Sequence, residues 1–317
     1  MTERPNESQA IDLQKVLTCA RVKVDQHWCQ RSLSGDEASE EELTITYLMA
    51  SSPEVRYAQF NRRQEGTTGA DWLWWFVDKS GECFGMLVQA KKLHHVRDNW
   101  NINFGYQSGD EPQMNKFLAL SNHLEVPAVY VLFCGDATYR GGMPCGRLHL
   151  ERDCDRCDRA SVSALPAICA RSLSVLNSDA KTAFAMAEPV EDMVVPGMLN
   201  DVAIDPNFQN MSAELKVLLM TPQVGSREVA KKVFKIASVI RKGQFSTVSS
   251  TLSPSLGDTV FSAFPLDTGH FGVPYVAHIL RGLKPSLPIE IELAMSGGYT
   301  DGLPSFEELS GIALFSF

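Results

Sequence analysis

Two apolar runs, "DWLWWFVD" from residue 71 and "CFGMLVQAKKL" from residue 83, are separated only by "KSGE". Runs this rich in aromatic and β-branched residues favour strands. A four-residue reversal containing Gly81 is of hairpin length. The pair therefore predicts an antiparallel hairpin in the middle of a covered sheet. Three polar residues sit in it: Asp71 heads the first strand, and Gln89 and Lys91 close the second.

The flanking chain supplies the layers. Residues 8–30 space Ile11, Leu13, Val16, Leu17, Ala20 and Val24 near helical period, predicting an amphipathic helix. "EELTITYLMA" predicts a second helix that stops before Pro53, with Glu40, Glu41 and Glu42 complementing its dipole. "EVRYAQFNRRQ" reads as a strand with polar ends. "GDEPQMNKFLALSNHLE" reads as a helix opened by Pro112 and carrying Phe117, Leu118 and Leu120. "VPAVYVLFCG" is apolar enough for a strand buried on both faces. Helix, strand, hairpin, helix and strand in this order give an α/β fold, a central mixed β-sheet flanked by helices.

Beyond residue 140 the pattern thins. "SREVAKKVFKIASVIRKG" predicts a helix with Ser226 as cap, Val229, Val233, Ile236 and Ile240 as its stripe, and Gly243 at its end. "PIEIELAM" and "GIALFSF" read as strands, making an α+β C-terminal region. The expected division is a domain over 1–175 and a C-terminal region over 176–317.

The 317 residues are 44% apolar and 21% charged, enough to bury a core. A formal net charge of −9 argues against a protein that coats nucleic acid non-specifically, while leaving room for a local basic cleft. "MTERPNESQA" lacks the apolar segment of a secretory signal, and no run reaches the roughly 20 apolar residues of a membrane helix. The expectation is a cytoplasmic protein with reduced thiols.

In a strand, residues two apart share a face, so Gln89 and Lys91 project together. The hairpin can bring Asp71 beside them. A carboxylate, an amide oxygen, the Ala90 backbone carbonyl and an ammonium would then converge. Hard divalent cations take oxygen ligands and leave positions for water and phosphate. The lysine can orient the attacking water and neutralise phosphate charge. These are the parts of metal-assisted phosphodiester hydrolysis. The plain alternative is a turn aspartate and an exposed polar strand face that includes Lys92.

Asp71, the step to Gln89, then Ala90 and Lys91, resembles the PD-(D/E)XK nuclease superfamily in its Gln-x-Lys variant, of the Mrr-like restriction endonuclease type. "EEELT", "RRQEGTTGADWLWWF" and "QAKKL" together also resemble an uncharacterised bacterial family of this fold, over roughly residues 37–135. The resemblance implies a restriction-endonuclease-like core and a Mg²⁺- or Mn²⁺-dependent endonuclease. It implies DNA as partner more than RNA, and a role in restriction or antiphage defence. A homodimer or other defence-system proteins are further expected partners. It also implies metal binding by Asp71, Gln89, Ala90 and a helix acid, with Lys91 as catalytic lysine. Glu41 is the helix acid chosen, because Thr44 and Leu48 share its face; Glu40 is the neighbouring choice. Gln113 stands where related nucleases place a polar residue toward the phosphate, and Glu65 is a structural or supporting acid. Two departures stand out: Gln89 replaces an acid, and Leu73 occupies a position where the resemblance leads one to expect another. A catalytically silent nuclease-fold module for nucleic-acid binding or scaffolding is the rival reading.

Several other groups have two readings. Cys145, His149, Cys154 and Cys157 offer thiolate and imidazole for a structural Zn²⁺, or buried free thiols. Trp72, Trp74, Trp75 and Trp100 stack bases or pack the core. Arg56, Arg62, Arg63, Lys91, Lys92 and Arg97 line a phosphate channel or are solvated. His94 and His95 face a cleft or lie on a loop. Arg227, Lys231, Lys232, Lys235, Arg241 and Lys242 form a basic helix face that is solvated by default.

Overall fold

The computed structural model describes residues 5–60, 72–96, 99–105, 107–108, 111–143, 154–175, 180–197, 213–239, 275–297 and 309–317. Helix α1 spans Pro5–Leu33. It buries Leu13, Leu17, Ala20 and Val24, a spacing that keeps them on one side of a helix. Helix α2 spans Glu40–Ala50 and opens on a capping box. Ser39 Oγ accepts the Glu42 N–H at 3.1 Å, and Glu42 Oε2 accepts the Ser39 N–H at 3.3 Å. Two backbone donors that a helix start leaves unpaired are thereby satisfied.

Strands β1 (Val55–Gln59), β2 (Trp72–Val77) and β3 (Cys83–Lys92) follow. β2 and β3 form the expected antiparallel hairpin, in register from Trp72↔Val88 to Val77↔Cys83. Gly81 in its turn has φ 89°, a left-handed conformation that glycine adopts without steric conflict. Two small ribbons come next: β4 (His94–Val96) with β5 (Asn99–Asn101), and β6 (Gln107–Ser108) with β7 (Glu111–Pro112). Helix α3 (Gln113–His123) then leads into β8 (Ala128–Phe133), buried throughout. The chain continues through α4 (Ala137–Gly141), α5 (Asp155–Arg159), β9 (Val162–Pro166), α6 (Ala167–Val175), α7 (Ala180–Met186), β10 (Glu188–Pro189) and α8 (Val190–Met193). Last come α9 (Ala213–Met220), α10 (Ser226–Val239), α11 (Tyr275–Leu280), β11 (Leu283–Lys284), α12 (Ile289–Met295) and β12 (Gly311–Ser316).

The architecture is mixed α/β: one eight-stranded mixed sheet flanked by helices, in the order β1-β12-β2-β3-β8-β9-β10, with β11 also paired to β3. Tyr47 of α2 stacks on Trp74 from one face, with ring centroids 6.2 Å apart. Phe117 of α3 meets Tyr130 of β8 from the other, at 5.1 Å. Trp72, Trp74 and Trp75 are buried, so they pack the core rather than present a stacking platform. No described helix is long and apolar enough to cross a membrane.

The strand expected in "GIALFSF" forms, but its place was not foreseen. β12 inserts between β1 and β2, antiparallel to the first and parallel to the second. Gly311 permits the approach, since a Cβ there would collide with the Ala58 carbonyl oxygen and the Trp72 ring. The division near residue 175 therefore does not separate two sheets: residues after it supply a strand near the middle of the one sheet, and α10 packs on β3 and β9.

"PIEIELAM" corrects the expectation of a strand. It is the helix α12, begun by Pro288. Its alternation of isoleucine and glutamate mimics period two, but the buried residues are Ile291 and Ala294, three apart, while Ile289 and Leu293 are exposed. The basic face of α10 is likewise not a solvated face. Arg227 pairs with Glu82 at 2.9 Å, Lys231 is buried and donates to the Thr221 carbonyl at 2.7 Å, and Lys232 donates to the Asp192 carbonyl. Ser226 is the first residue of that helix and donates to Asp78 Oδ2 at 3.1 Å. Ile240, Arg241, Lys242 and Gly243 lie outside the described residues.

Two predictions follow from the way the C-terminal region is built in. Deleting residues 311–317 leaves β1 and β2 without their shared neighbour; the shortened chain is expected to lose cooperative urea unfolding, and a sharp transition would contradict the topology. His278 is buried with its Nδ1 2.9 Å from Arg281 Nη2. Burial, reinforced by that guanidinium, pushes His278 from 6.5 down to about 3. Below pH 6.5 the unfolded chain takes up a proton that the folded chain refuses. Stability should therefore fall between pH 6.5 and about pH 3, by up to about 1.4 kcal/mol per pH unit. His278→Gln should remove that part of the slope in urea titrations at stepped pH.

Candidate functional site

β3 runs past its hairpin partner. Its last described pairing with β2 is Val88 with Trp72, yet it continues through Gln89, Ala90, Lys91 and Lys92 beside β8. Gln89 lies opposite Tyr130 and Lys91 opposite Leu132. Paired residues share a face, so Gln89 and Lys91 project to the side covered by Phe117 and α3. Met86 lies opposite Trp74, so the alternate residues Ala90 and Lys92 project toward α2.

Gln89 is 2% exposed, and its Oε1 has no hydrogen-bond donor among the described residues. Buried amide oxygens almost always find one, so this atom calls for an explanation. Lys91 is 7% exposed and donates to Gln113 Oε1, the first residue of α3, at 3.1 Å. An ammonium carries three donors and a positive charge. The acceptor it has among the described residues is one neutral amide. Lys91 and Gln113, 22 residues apart in the sequence, are thus brought together by the fold. Asp71 lies outside the described residues; Trp72, which follows it, pairs with the residue that precedes Gln89.

The helix acids divide their work. Glu42 closes the capping box and sits 2.7 Å from His27 Nε2, which with the Ser39 N–H and Arg31 holds its carboxyl below the usual range despite the opposing pull of burial. Glu41 is half-buried on α2. Glu40 is the acid that touches β3: its Oε1 accepts the Lys92 N–H at 3.0 Å. The backbone explains this contact. Leu87 and Leu93 donate to the carbonyls of Pro127 and Phe133 on the β8 side. Alternate residues of a strand turn their N–H and C=O groups to opposite neighbours, so those of Ala90 and Lys92 face the β2 side. Glu40 supplies an acceptor there, on the same edge to which the Ala90 carbonyl is directed. Sequence reasoning ranked Glu40 second, because nothing local marks which of three adjacent glutamates reaches across.

Other expectations are settled less directly. Lys92 is no surface charge: it is 8% exposed, and Nζ donates to Glu37 Oε2 and the Ala38 carbonyl, each at 2.8 Å. Leu73 is buried opposite Leu87, so an acid there would lie in the core. Arg56 is on β1, with β12 and β2 between it and β3, so it does not join a basic channel at Lys91. His95 is exposed and packs on Trp100, centroids 4.6 Å apart; His94 is half-buried, 3.9 Å from Glu37. Arg62, Arg63, Glu65 and Arg97 lie outside the described residues, as do Cys145 and His149. Of the zinc set, Cys154 is half-buried and Cys157 buried, and neither is in a disulfide. Among the described residues no three His, Cys, Asp or Glu side chains are grouped to hold a metal ion.

The donors at the end of β3 fit a hard cation better than a soft one. They are an amide oxygen without a donor among the described residues, a strand carbonyl and a helix carboxylate, all oxygens. The fold and this strand end define a mixed α/β protein with a buried polar constellation on one central strand. A family described as a family of unknown function (DUF6615) matches residues 17–194, more than half of the chain and every candidate site residue from Glu40 to Gln113; the chain belongs to that family. No curated protein matches it.

The donor-free oxygen has a measurable consequence. Removing a buried, unsatisfied polar atom without changing shape stabilises a fold by about 1–2 kcal/mol. Gln89→Met should therefore raise the unfolding free energy in urea titration by about that amount. A clear loss of stability would mean that Gln89 serves the fold.

Proposed function

We propose that the chain is a metal-dependent nuclease, a Mg²⁺- or Mn²⁺-requiring endonuclease that hydrolyses phosphodiester bonds of DNA. One observation carries the reading. On one buried strand face, an amide oxygen without a donor among the described residues lies two residues from an ammonium whose described acceptor is a neutral amide. The oxygen calls for a cation and the ammonium for an anion. A divalent ion together with a phosphodiester answers both. The resemblance of Asp71, Gln89, Ala90 and Lys91 to the Gln-x-Lys form of PD-(D/E)XK nucleases supports the same assignment, and with it a role in restriction or antiphage defence.

In this reading Asp71 and a helix acid provide carboxylates, Gln89 a neutral oxygen and Ala90 its carbonyl. Glu40 joins Glu41 as candidate helix acid because its carboxylate already lies on the β2 side of the end of β3. When bound, the ion polarises the scissile phosphate and stabilises the leaving oxygen. Lys91 holds the attacking water in line and offsets charge gathering on the phosphate oxygens. Gln113 keeps that ammonium pointed at the site, since its Oε1 accepts one of the three N–H donors. Burial excludes bulk water and strengthens each of these electrostatic contacts. Gln89 contributes no charge, so affinity for the ion should be lower than in a site with an acid there.

A second reading rests on Leu73 and Gln89. An apolar core residue and a neutral amide at two positions where acids were expected suit a nuclease fold kept as a nucleic-acid-binding or scaffold module. Mn²⁺ calorimetry separates the two, because the module would bind DNA without metal.

Lys91→Ala and Asp71→Ala should each lower Mn²⁺-dependent cleavage of plasmid and oligonucleotide DNA by at least about 100-fold, with the circular dichroism spectrum unchanged. A variant cutting at the unaltered rate would remove the assignment.

A further inference from the structure

The side chain of Lys92 points away from Lys91, yet it is as deeply buried and better held. Its Nζ grips Glu37 Oε2 and the Ala38 carbonyl, and its backbone N–H is taken by Glu40 Oε1. One strand residue thus binds three of the four residues 37–40, the segment that carries the chain from α1 into α2. The ion pair with Glu37 alone would hold little, since the Glu37 side chain is 70% exposed. The buried ammonium is what fastens the segment, because leaving the Ala38 carbonyl means losing that contact inside the protein. From the other end, Ser39 and Glu42 fix where the helix begins, so Glu40 follows directly from the fastened residues.

Resting on the metal-centre reading above, we propose that Lys92 is a positioning residue. It clamps the start of α2 against the end of β3, so that the Glu40 carboxylate stays on the side to which the Ala90 carbonyl is directed and the Lys91–Lys92 peptide keeps its orientation. Lys91 and Lys92 then divide one task between the two faces of the strand: the first meets the substrate, the second sets the carboxylate. The clamp is made of protein groups alone and exists before any ion arrives. Its effect falls on the affinity for the ion more than on the rate once the ion is bound.

The test is Mn²⁺ calorimetry on the full chain, wild type beside Lys92→Met and Glu37→Ala, with amide hydrogen exchange of the metal-free proteins. Lys92→Met should weaken Mn²⁺ binding about tenfold, in line with other residues that hold a ligand in place. It should also speed exchange at the Lys92 amide and the first turn of α2. Glu37→Ala, an exposed change, should move both readouts in the same direction by less. The cleavage rate of Lys92→Met at saturating Mn²⁺ should stay within about threefold of wild type, whereas Lys91→Ala loses it at every Mn²⁺ concentration. Wild-type Mn²⁺ affinity and exchange in Lys92→Met would overturn the clamp and leave the metal centre standing. If Lys92→Met does not fold, unchanged affinity in Glu37→Ala overturns it instead. A wild-type protein that binds no Mn²⁺ would overturn the metal centre, and the clamp with it.

Discussion

A strand longer than the strand it is folded against has to satisfy its backbone somewhere else, and much of this molecule follows from how β3 does so. Its ten residues are buried, so none of its N–H or C=O groups can turn to water. Up to Val88 the β2 side is closed by Trp72; beyond it, β8 alone continues as a described strand partner. Glu40 fills one of the open positions with a carboxylate. That contact draws the start of α2 to the strand end and places an acid, a carbonyl edge, an amide and an ammonium within one small region. An ordinary rule of backbone hydrogen bonding thus gathers the polar groups on which the proposed site rests.

The treatment of buried charge elsewhere makes this region stand out. Arg21 meets Glu191 at 2.9 Å beneath α1, and Arg140 meets Asp25 at 3.4 Å. Burial still pushes the carboxyls of Glu191 and Asp25 above their usual range, with the guanidiniums pulling the other way. Lys232 has Glu228, and Lys92 has Glu37. In each case an opposite charge answers a buried one, as the low interior dielectric demands. Lys91 is answered by a neutral amide, and the neighbouring Gln89 oxygen by no donor among the described residues. Buried atoms without a partner occur elsewhere too, among them Tyr47 Oη and Trp74 Nε1, so it is the pairing of this oxygen with the Lys91 ammonium on one strand face that supports the proposed ligand.

Much of this was legible locally. Period two put Gln89 and Lys91 on one face, and the KSGE reversal made the hairpin. Period near 3.6 marked α1, α2, α3 and α10. Where local pattern misled, a competing regularity was at work: isoleucine and glutamate alternate in α12, yet a helix buries residues three apart. Choosing among Glu40, Glu41 and Glu42 was beyond local pattern, because all three suit a helix start and only the strand edge distinguishes them. The burial of Lys92 was equally hidden, since a lysine beside a lysine looks like surface.

By itself the amino-acid order determined the elements that depend on near neighbours: the hairpin, the helices with stripes and caps, the shared face of the polar pair. Those rest on bond rotation and side-chain spacing, which act over a few residues. Only the tertiary structure decided that β12 enters the sheet between β1 and β2, that Gln113 reaches Lys91, and that Lys92 holds the entrance to α2. Such contacts join residues tens to hundreds of positions apart. They are selected by which surfaces bury apolar area together and which backbone edges still lack partners, and neither quantity exists until the chain has folded.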